Sequence, residues 1–370
     1  MGCNFESVEV ENFKVVKEIS KNKTDICRSY LLRSSSNVTE YVYKSVNVVA
    51  LNKGEKDSII NEINVLKKIN HPNVIEIKND YYSKDNKFLN IITEYAEEGT
   101  LQEKYEEQKK KKQYFEENEL LDWFIQILLA LKCIHEKKIL HRDIRLSNIF
   151  LIKDMAKLGN FGVAKSLSPT IKYAKTIVTK PQYLAPEVKQ NINYSYEADI
   201  WALGVTFYQL IILDYPFEGS SIDEIQKNIS KGKKKPIPKE CKIDEKFIKI
   251  INEMMSVNPK ERISLQKIFE ESIIKSRIEC YLMQQKFTEL NAKKTIREYE
   301  KEEKKKRKTV PFVLEGIEEE KDKDKDKESK TEEQKEKVIQ ERKEMKEKKA
   351  KYDLFRHMAT LNQMIHFKDI

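Results

Sequence analysis

The 370-residue chain has no long apolar run and no apolar segment near its start. Its longest apolar stretch, within 124–134, is interrupted by Gln126 and Lys132, whereas a membrane span needs roughly 18–20 apolar residues. The first twenty residues are rich in Glu and Lys, which excludes a secretory signal peptide. We therefore expect a soluble protein of the cytoplasm that does not enter the membrane.

Cysteine is also scarce. The five cysteines are odd in number, scattered and never spaced as C-x-x-C: Cys3, Cys27, Cys133, Cys241 and Cys280. This spacing argues against a disulfide framework and a zinc site, and it fits a reducing compartment. Gly2-Cys3 is similar to an acylation signal, but Glu6 stands where that signal needs Ser or Thr, which disfavours lipidation.

Charge of both signs is abundant, with 70 Lys and Arg against 61 Asp and Glu and a formal net charge of +9. A nucleic-acid-binding surface would cluster basic residues among aromatic ones. The only dense basic runs are 109–112 and 304–308, and we interpret both as solvated surface lysines. No nucleic-acid partner is therefore expected.

The composition changes after about residue 293. Most of residues 301–350 are charged, which is too polar to bury a core. Four apolar side chains near the end of the chain share one helical stripe: Leu354, Met358, Leu361 and Ile365. Two interpretations of this stripe stay open, a helix that docks on a partner protein and a helix that folds back on the parent domain.

Hydrophobic periodicity divides the rest of the chain into two parts. Short β-branched or aromatic stretches predict strands at 8–16, 41–49, 74–82 and 88–94. Apolar residues at helical spacing predict one helix among them, at 58–70. Later segments at 119–135 and 199–213 are apolar nearly all round, so both are predicted to be buried helices. This order predicts an α+β protein with a strand-rich lobe followed by a helical lobe.

One segment carries most of the functional information. It reads HRDIRLSN at 141–148, between the first buried helix and a predicted strand at 149–152. Because it meets the HRDxxxxN pattern in full, the sequence resembles a protein kinase. The resemblance implies a bilobal kinase fold with ATP and Mg²⁺ as cofactors. It assigns Asp143 as the base for the substrate hydroxyl and Asn148 as a magnesium ligand.

Further positions match the kinase pattern around the nucleotide. The resemblance makes Lys44 the lysine that holds the α- and β-phosphates, and Glu62 its ion-pair partner on the first helix. Thr93 stands at the gatekeeper position before the hinge. The remaining nucleotide-binding positions that the resemblance implies are Ile19 and the backbones of Glu94 and Ala96.

Three structural motifs of the family follow in the expected order. They are APE at 185–187, DxWxxG at 199–204, and Arg262, which stands where the family has the arginine that pairs with the APE glutamate. Three segments narrow the resemblance to the NIMA-related serine/threonine kinases: LDWF at 121–124, ILHRD at 139–143 and IIKSRIE at 273–279.

The resemblance also predicts the domain organisation. It covers about residues 8–283, with a leader at 1–7, a small lobe at 8–96, a large lobe at 97–283 and a tail at 284–370. NIMA-related kinases often carry a charged helical tail after the kinase domain. By this analogy we expect protein partners bound through the large lobe and the tail, in a cytoskeletal or ciliary setting.

Four features depart from the family pattern, and all lie at the phosphate end of the cleft. No glycine occurs between Gly2 and Gly54, so the loop after Ile19 lacks the glycines that let the backbone approach phosphates. Within that loop, Asp25 would repel a triphosphate. The DFG motif reads NFG at 160–162, which puts the neutral amide of Asn160 at the second metal-ligand position, where Mg²⁺ prefers an anionic oxygen.

The other two departures concern the catalytic loop and its neighbour. Arg145 replaces the catalytic-loop lysine, and its planar guanidinium would aim differently at the γ-phosphate. Lys180 stands where the family has a threonine, and it could form an ion pair with Asp143. Thr176 aligns with the activation-loop phosphorylation site, with Arg142 placed to bind the phosphate, but an unmodified surface threonine is an equal alternative.

Together the departures favour a pseudokinase that works as a scaffold or docking component. The alternative is an active Ser/Thr kinase with a reduced rate, in which Asp143 is the base, Asn148 holds the main metal and Arg145 stands in place of the catalytic-loop lysine. ATP binding without transfer is a third possibility, because Lys44, the hinge and Asn148 are retained.

Overall fold

The computed structural model describes residues 13–19, 27–35, 39–49, 51–160, 181–189 and 194–284. The chain divides into two compact units, Met1–Ile278 and Glu279–Asp369, and every element named below belongs to the first. Several predictions fall outside the described residues: the leader, the glycine-poor loop with Asp25, the segment with Thr176 and Lys180, and the tail with its apolar stripe.

The small lobe is built on an antiparallel sheet of five strands in the order β1-β2-β3-β5-β4. The strands are β1 (Phe13–Glu18), β2 (Cys27–Ser34), β3 (Glu40–Asn47), β4 (Ile77–Tyr82) and β5 (Phe88–Glu94). Residues two apart along a strand share one face, so alternate side chains form the lobe's core. Tyr30 and Leu32 of β2 pack there with Tyr43 of β3 and Ile92 of β5.

Helix α1 (Lys53–Lys67) lies between β3 and β4 in the chain. Its buried side chains, Ile59, Ile63 and Leu66, follow the predicted helical spacing. The helix begins five residues before the predicted start, because its first turn is polar and carries no hydrophobic signal. It ends before the predicted 58–70 range does.

The large lobe is mainly helical. Its helices are α2 (Leu101–Lys111), α3 (Glu117–Glu136), α4 (Pro186–Lys189), α5 (Tyr196–Ile212), α6 (Ile222–Ser230), α7 (Glu245–Met254) and α8 (Leu265–Glu270). A two-stranded hairpin joins β6 (Ile149–Ile152) to β7 (Met155–Leu158). The two-lobed α+β architecture predicted from the sequence is therefore confirmed.

The core of the large lobe forms around α3 and α5, the two helices predicted to be buried. Phe124 of α3 makes edge-to-face contacts with Phe207 of α5 at 4.9 Å and with Phe247 of α7 at 5.1 Å between ring centroids. Such pairs stabilise by about 0.5–1.5 kcal/mol beyond their area burial. The polar segment at 141–148 follows α3 and precedes β6.

No helix in the described part of the chain has both the length and the apolar content needed to cross a membrane.

Candidate active site

The hairpin of β6 and β7 brings the end of β7 beside the catalytic-loop segment. Its turn residues, Lys153 and Asp154, have φ of 51° and 62°, which is typical of a two-residue hairpin. The next residue after β7, Gly159, packs so closely that a Cβ there would lie 2.6 Å from Ile75 Cγ1. Only glycine fits this approach, and the chain then delivers Asn160 to the cleft.

Asp199, fully buried at the start of α5, holds the catalytic loop from below. Its carboxylate accepts hydrogen bonds of 2.9 Å from the backbone N–H of His141, the backbone N–H of Arg142 and the hydroxyl of Tyr194. His135 Nε2 lies 2.9 Å from the same carboxylate. Burial alone would raise the pKa of Asp199, but the His135 bond and nearby His141 lower it below its usual value.

These bonds hold an unusual backbone conformation. Arg142 has a φ of 64°, a left-handed value that costs energy for a non-glycine residue. His141 Nε2 lies 2.9 Å from the carbonyl oxygen of Gly159, which ties the loop to the end of β7. The strained turn presents Asp143 to the cleft, where its side chain is half-buried. Arg142 thus contributes its backbone here, while its predicted phosphate partner, Thr176, lies outside the described residues.

Four of the candidate residues join in one directional chain of hydrogen bonds. Lys44 Nζ donates to Asn160 Oδ1. Asn160 Nδ2 donates to Asn148 Oδ1 at 2.8 Å, and Asn148 Nδ2 donates to Asp143 Oδ2 at 2.8 Å. Arg145 Nε lies 3.5 Å from the same Asp143 oxygen. We call these five residues the amide chain, because its two central members are asparagines.

The chain needs an amide at position 160. A carboxamide accepts with its oxygen and donates with its nitrogen, whereas an ionised carboxylate only accepts. Asn160 uses both functions, accepting from Lys44 and donating to Asn148. Its φ of 56° is a left-handed conformation that asparagine adopts more readily than most residues.

Mg²⁺ does not fit this donor set. The ion prefers anionic oxygens in an octahedron at about 2.0–2.1 Å and is usually held by one or two carboxylates. Asn160 Oδ1 instead receives a cationic ammonium, Asn148 Oδ1 receives an N–H, and Asp143 Oδ2 is bonded by Asn148 and contacted by Arg145. Within the described ranges, no cluster of three His, Cys, Asp or Glu residues could hold a metal.

Lys44 has a different partner from the expected one. Among the ion pairs of the described residues none joins Lys44 to Glu62, which lies half-buried on α1. Lys44 Nζ instead donates to Asn160 Oδ1. Burial lowers the pKa of Lys44, with the nearby Cys27 thiol opposing this effect.

The hinge is braced by a contact that the sequence analysis missed. Lys157 of β7, which is buried, donates to both carboxylate oxygens of Glu94, at 2.8 and 3.0 Å. Glu94 Oε1 also accepts from the backbone N–H of Glu76 at 2.8 Å. The side chain of Glu94 thus ties the end of β5 to β7. No local sequence pattern predicts the Lys157–Glu94 pair, because its members are 63 positions apart in the chain.

The other nucleotide-binding candidates lie near the hinge and the start of the glycine-poor loop. Thr93 and Ala96 are buried, and Ala96 accepts a backbone hydrogen bond from Gly99 at 3.3 Å. Within the described part of the chain, no group accepts a hydrogen bond from the Ala96 N–H. Ile19 is 40% exposed, and its backbone N–H donates to Ser29 at 2.8 Å.

The predicted partnership of the APE glutamate is confirmed. Arg262 donates to both carboxylate oxygens of Glu187, at 2.7 and 3.0 Å, and its guanidinium lies 5.1 Å from the centre of the Trp201 ring. Both partners are buried. Such bidentate arginine–carboxylate geometry fixes α4 against the rest of the large lobe.

Comparison of the sequence with known proteins identifies relatives of this chain. A protein kinase domain model matches residues 25–274. The chain is 35% identical over 273 residues to serine/threonine-protein kinase Nek1 of Mus musculus, covering 74% of this chain and 22% of that protein. It is 34% identical over 275 residues to serine/threonine-protein kinase Nek5 of Homo sapiens, covering 74% and 38%.

A third relative, serine/threonine-protein kinase Nek2 of Homo sapiens, is 31% identical over 270 residues, with 71% of this chain and 60% of that protein covered. The chain therefore spans between about a fifth and three-fifths of the lengths of these three relatives. The range that the kinase domain model matches, residues 25–274, includes the amide chain and Asp199.

Proposed function

Since the chain belongs to the protein kinase domain family, we propose that it is a kinase-fold protein with strongly reduced phosphoryl transfer that acts through protein partners. The observation that carries this proposal is the amide chain, in which the positions for the lysine, the metal ligands and the base satisfy one another. A cleft that must receive a metal-bound triphosphate would have to break these bonds first.

The metal position supports a large loss of rate. Losing one preorganised electrostatic contact typically costs about a hundredfold or more in rate. Position 160 offers a neutral amide whose oxygen is bonded to Lys44, so the charge that develops on the transferred phosphoryl group would lack its usual stabilisation.

The base position supports the same proposal. A general base must present a free lone pair to the proton that it removes. Asp143 Oδ2 accepts from Asn148 at 2.8 Å, and the Arg145 guanidinium lies 3.5 Å away. Both contacts engage this oxygen, so it is less accessible to the hydroxyl of a substrate.

The second candidate function is that of an active Ser/Thr kinase with a reduced rate, which would need ATP and Mg²⁺. The bracing of the catalytic loop by Asp199 favours it, because this costly arrangement orients Asp143 toward the cleft. In this alternative, Asp143 still removes the hydroxyl proton of the substrate.

The expected partners are proteins that dock on the helical lobe and on the charged tail, in the cytoplasm and in a cytoskeletal or ciliary setting. Support for the tail comes from its charged composition and from the apolar stripe that ends at Ile365. Support for the large lobe comes from its packed aromatic core, which stabilises a docking body without any need for catalysis.

The test measures transfer from labelled Mg·ATP to a generic Ser/Thr substrate. Wild type, Asp143→Asn, Asn160→Asp and the matched exposed control Asn64→Asp are compared. We expect wild type and Asn64→Asp to stay within about threefold of Asp143→Asn, because the metal position is already impaired. Wild-type transfer that disappears in Asp143→Asn would refute the proposal and establish the slow kinase instead.

The docking role has its own readout. Replacement of the endogenous protein by Asp143→Asn in cells should leave its function intact if partners are bound through surfaces away from the cleft. Loss of function in that variant, at unchanged protein abundance, would contradict a docking role.

A further inference from the structure

We infer that this cleft binds a nucleoside triphosphate without a divalent cation, with the Lys44 ammonium as the principal counter-charge. The inference rests on the proposed function, since it concerns the same cleft, and it adds the ionic form of the ligand. It follows from how the oxygens of the amide chain are used and from the charge that the chain carries.

The first argument concerns the two amide oxygens at the predicted metal-ligand positions. Asn160 Oδ1 accepts from Lys44 and Asn148 Oδ1 accepts from Asn160, so the two oxygens at the metal-ligand positions both face N–H donors. A magnesium ion would have to displace an ammonium from one oxygen and an amide from the other. Each displaced donor belongs to a half-buried side chain and would lose its partner, which carries a desolvation penalty.

Repulsion adds to this cost. A dication seated on Asn160 Oδ1 would lie within a few ångströms of the Lys44 ammonium that now bonds the same oxygen. In a protein with a carboxylate at this position, the negative charge offsets that repulsion. Here the amide supplies no such charge, so metal and lysine compete for one neutral oxygen.

The charge balance favours the free anion. Within the amide chain, Lys44 and Arg145 are cationic, Asp143 is anionic and the two asparagines are neutral, which leaves an excess of one positive charge. A triphosphate is therefore attracted without help from a metal. The desolvated Lys44 would regain an anionic partner on binding, which strengthens the attraction in a site of low dielectric.

The base end of the cleft remains able to hold a purine. Glu94 is fixed by Lys157 and Glu76, so the hinge backbone is preorganised. The Ala96 N–H, which has no acceptor among the described residues, points to a place for a ring nitrogen. Binding energy at this end does not depend on the cation.

The experiment is titration of the full-length protein with ATP by calorimetry, in EDTA and in excess Mg²⁺. For wild type we expect dissociation constants that agree within about threefold or that are weaker with Mg²⁺. Asn160→Asp adds a carboxylate and removes the donor to Asn148, so it should bind ATP at least tenfold more tightly with Mg²⁺ than with EDTA. Asn64→Asp, which adds the same charge on the exposed face of α1, should behave as wild type.

Two outcomes would overturn the inference. One is wild-type binding at least tenfold tighter with Mg²⁺ than with EDTA, and the other is no saturable binding under either condition. Lys44→Met provides a test that does not depend on the folding of Asn160→Asp. It should weaken binding in EDTA at least tenfold, and unchanged binding would also contradict the inference.

The binding experiment and the phosphoryl-transfer experiment test the inference and the proposed function independently. Transfer by wild type that is lost in Asp143→Asn refutes the proposed function, whatever the calorimetry shows. Magnesium-dependent binding without transfer refutes the inference and leaves the proposed function standing.

Discussion

Two polar centres of the molecule differ in the side chain that organises them. The lower centre, beneath the catalytic loop, has the carboxylate of Asp199, and the upper centre, which is the amide chain, has the carboxamide of Asn160. Below the catalytic loop, the Asp199 carboxylate accepts hydrogen bonds from two backbone N–H groups and a tyrosine hydroxyl, and it contacts a histidine. In the cleft, Asn160 accepts at one atom and donates at the other. Converging donors need a carboxylate, whereas a chain that passes a hydrogen bond onward needs an amide.

The two centres also differ in their roles: the contacts of Asp199 stabilise the fold around the catalytic loop, whereas the amide chain lies at the candidate active site. The lower centre, together with the buried Arg262–Glu187 pair, keeps the charged groups of the family pattern and positions the loop. The amide chain has a neutral side chain at position 160, and Lys44, Asn160, Asn148 and Asp143 are joined by hydrogen bonds. The amide of Asn160 therefore fits its two neighbours, one of which donates to it while the other accepts from it.

The largest expected effect comes from placing an amide in the lower centre. Asp199→Asn should lower the free energy of unfolding by about 3–5 kcal/mol, because an amide turns N–H groups toward donors in a fully buried site. Thermal denaturation followed by circular dichroism would show this as a fall in Tm of several degrees or more.

The matched control is Asp57→Asn, the same exchange at an exposed position of α1. It should change the free energy of unfolding by less than about 0.5 kcal/mol. If Asp199→Asn were as mild as this control, the lower centre would not need a carboxylate and the contrast with Asn160 would fail.

Local patterns in the sequence predict some strands, helices and motif residues of the molecule well. The 88–94 and 149–152 strands were assigned in full and the two buried helices nearly so, because their periodicity is local. Motif spacing predicts that Asp143 and Asn148 share one site, and in the structure the two side chains are hydrogen-bonded. The family pattern predicts the Arg262–Glu187 pair, which is confirmed.

Other contacts could not be read from spacing. Lys44 bonds Asn160 rather than forming the expected pair with Glu62, because the partner of a lysine depends on side-chain rotamers and on what else enters the cleft. Lys157 and Glu94 meet only when the two lobes pack, so a pattern within either segment carries no sign of them. Long-range polar contacts of this kind require the folded arrangement.

A smaller effect, visible only in acid, is expected at a third buried polar group. His71 accepts from the Asn73 N–H at Nδ1, and burial, aided by the Lys157 charge, lowers the pKa of His71 to about 4. The unfolded chain binds this proton near pH 6.5, so stability falls as the pH drops from 6.5 to 4 and is unaffected by this group above that range.

His71→Asn keeps an acceptor for the Asn73 N–H but removes the titration. Because a pKa difference between 6.5 and about 4 corresponds to roughly 1.4 kcal/mol per pH unit, the wild type should lose about 3 kcal/mol more than the variant over this interval. Urea denaturation at several pH values measures it. Equal slopes for both proteins over this interval would contradict the prediction. Asp199 could not account for a slope there, because its lowered pKa confines its own contribution to below pH 3.8.

The smallest effect on the free energy of unfolding is expected from Asn160→Asp, which replaces the amide of the amide chain by a carboxylate. Without metal, Asn160→Asp loses the donor to Asn148 Oδ1 but gives Lys44 a charged acceptor, and these changes oppose each other. Since the side chain is only partly buried, the free energy of unfolding should change by less than about 1 kcal/mol, in either direction. Denaturation in EDTA tests this, and a loss as large as that from Asp199→Asn would mean that the amide chain is a structural core rather than a ligand site. A small change in EDTA, joined to stabilisation by Mg²⁺ in the variant alone, would instead locate the metal preference of the cleft in the single oxygen-for-nitrogen exchange at position 160.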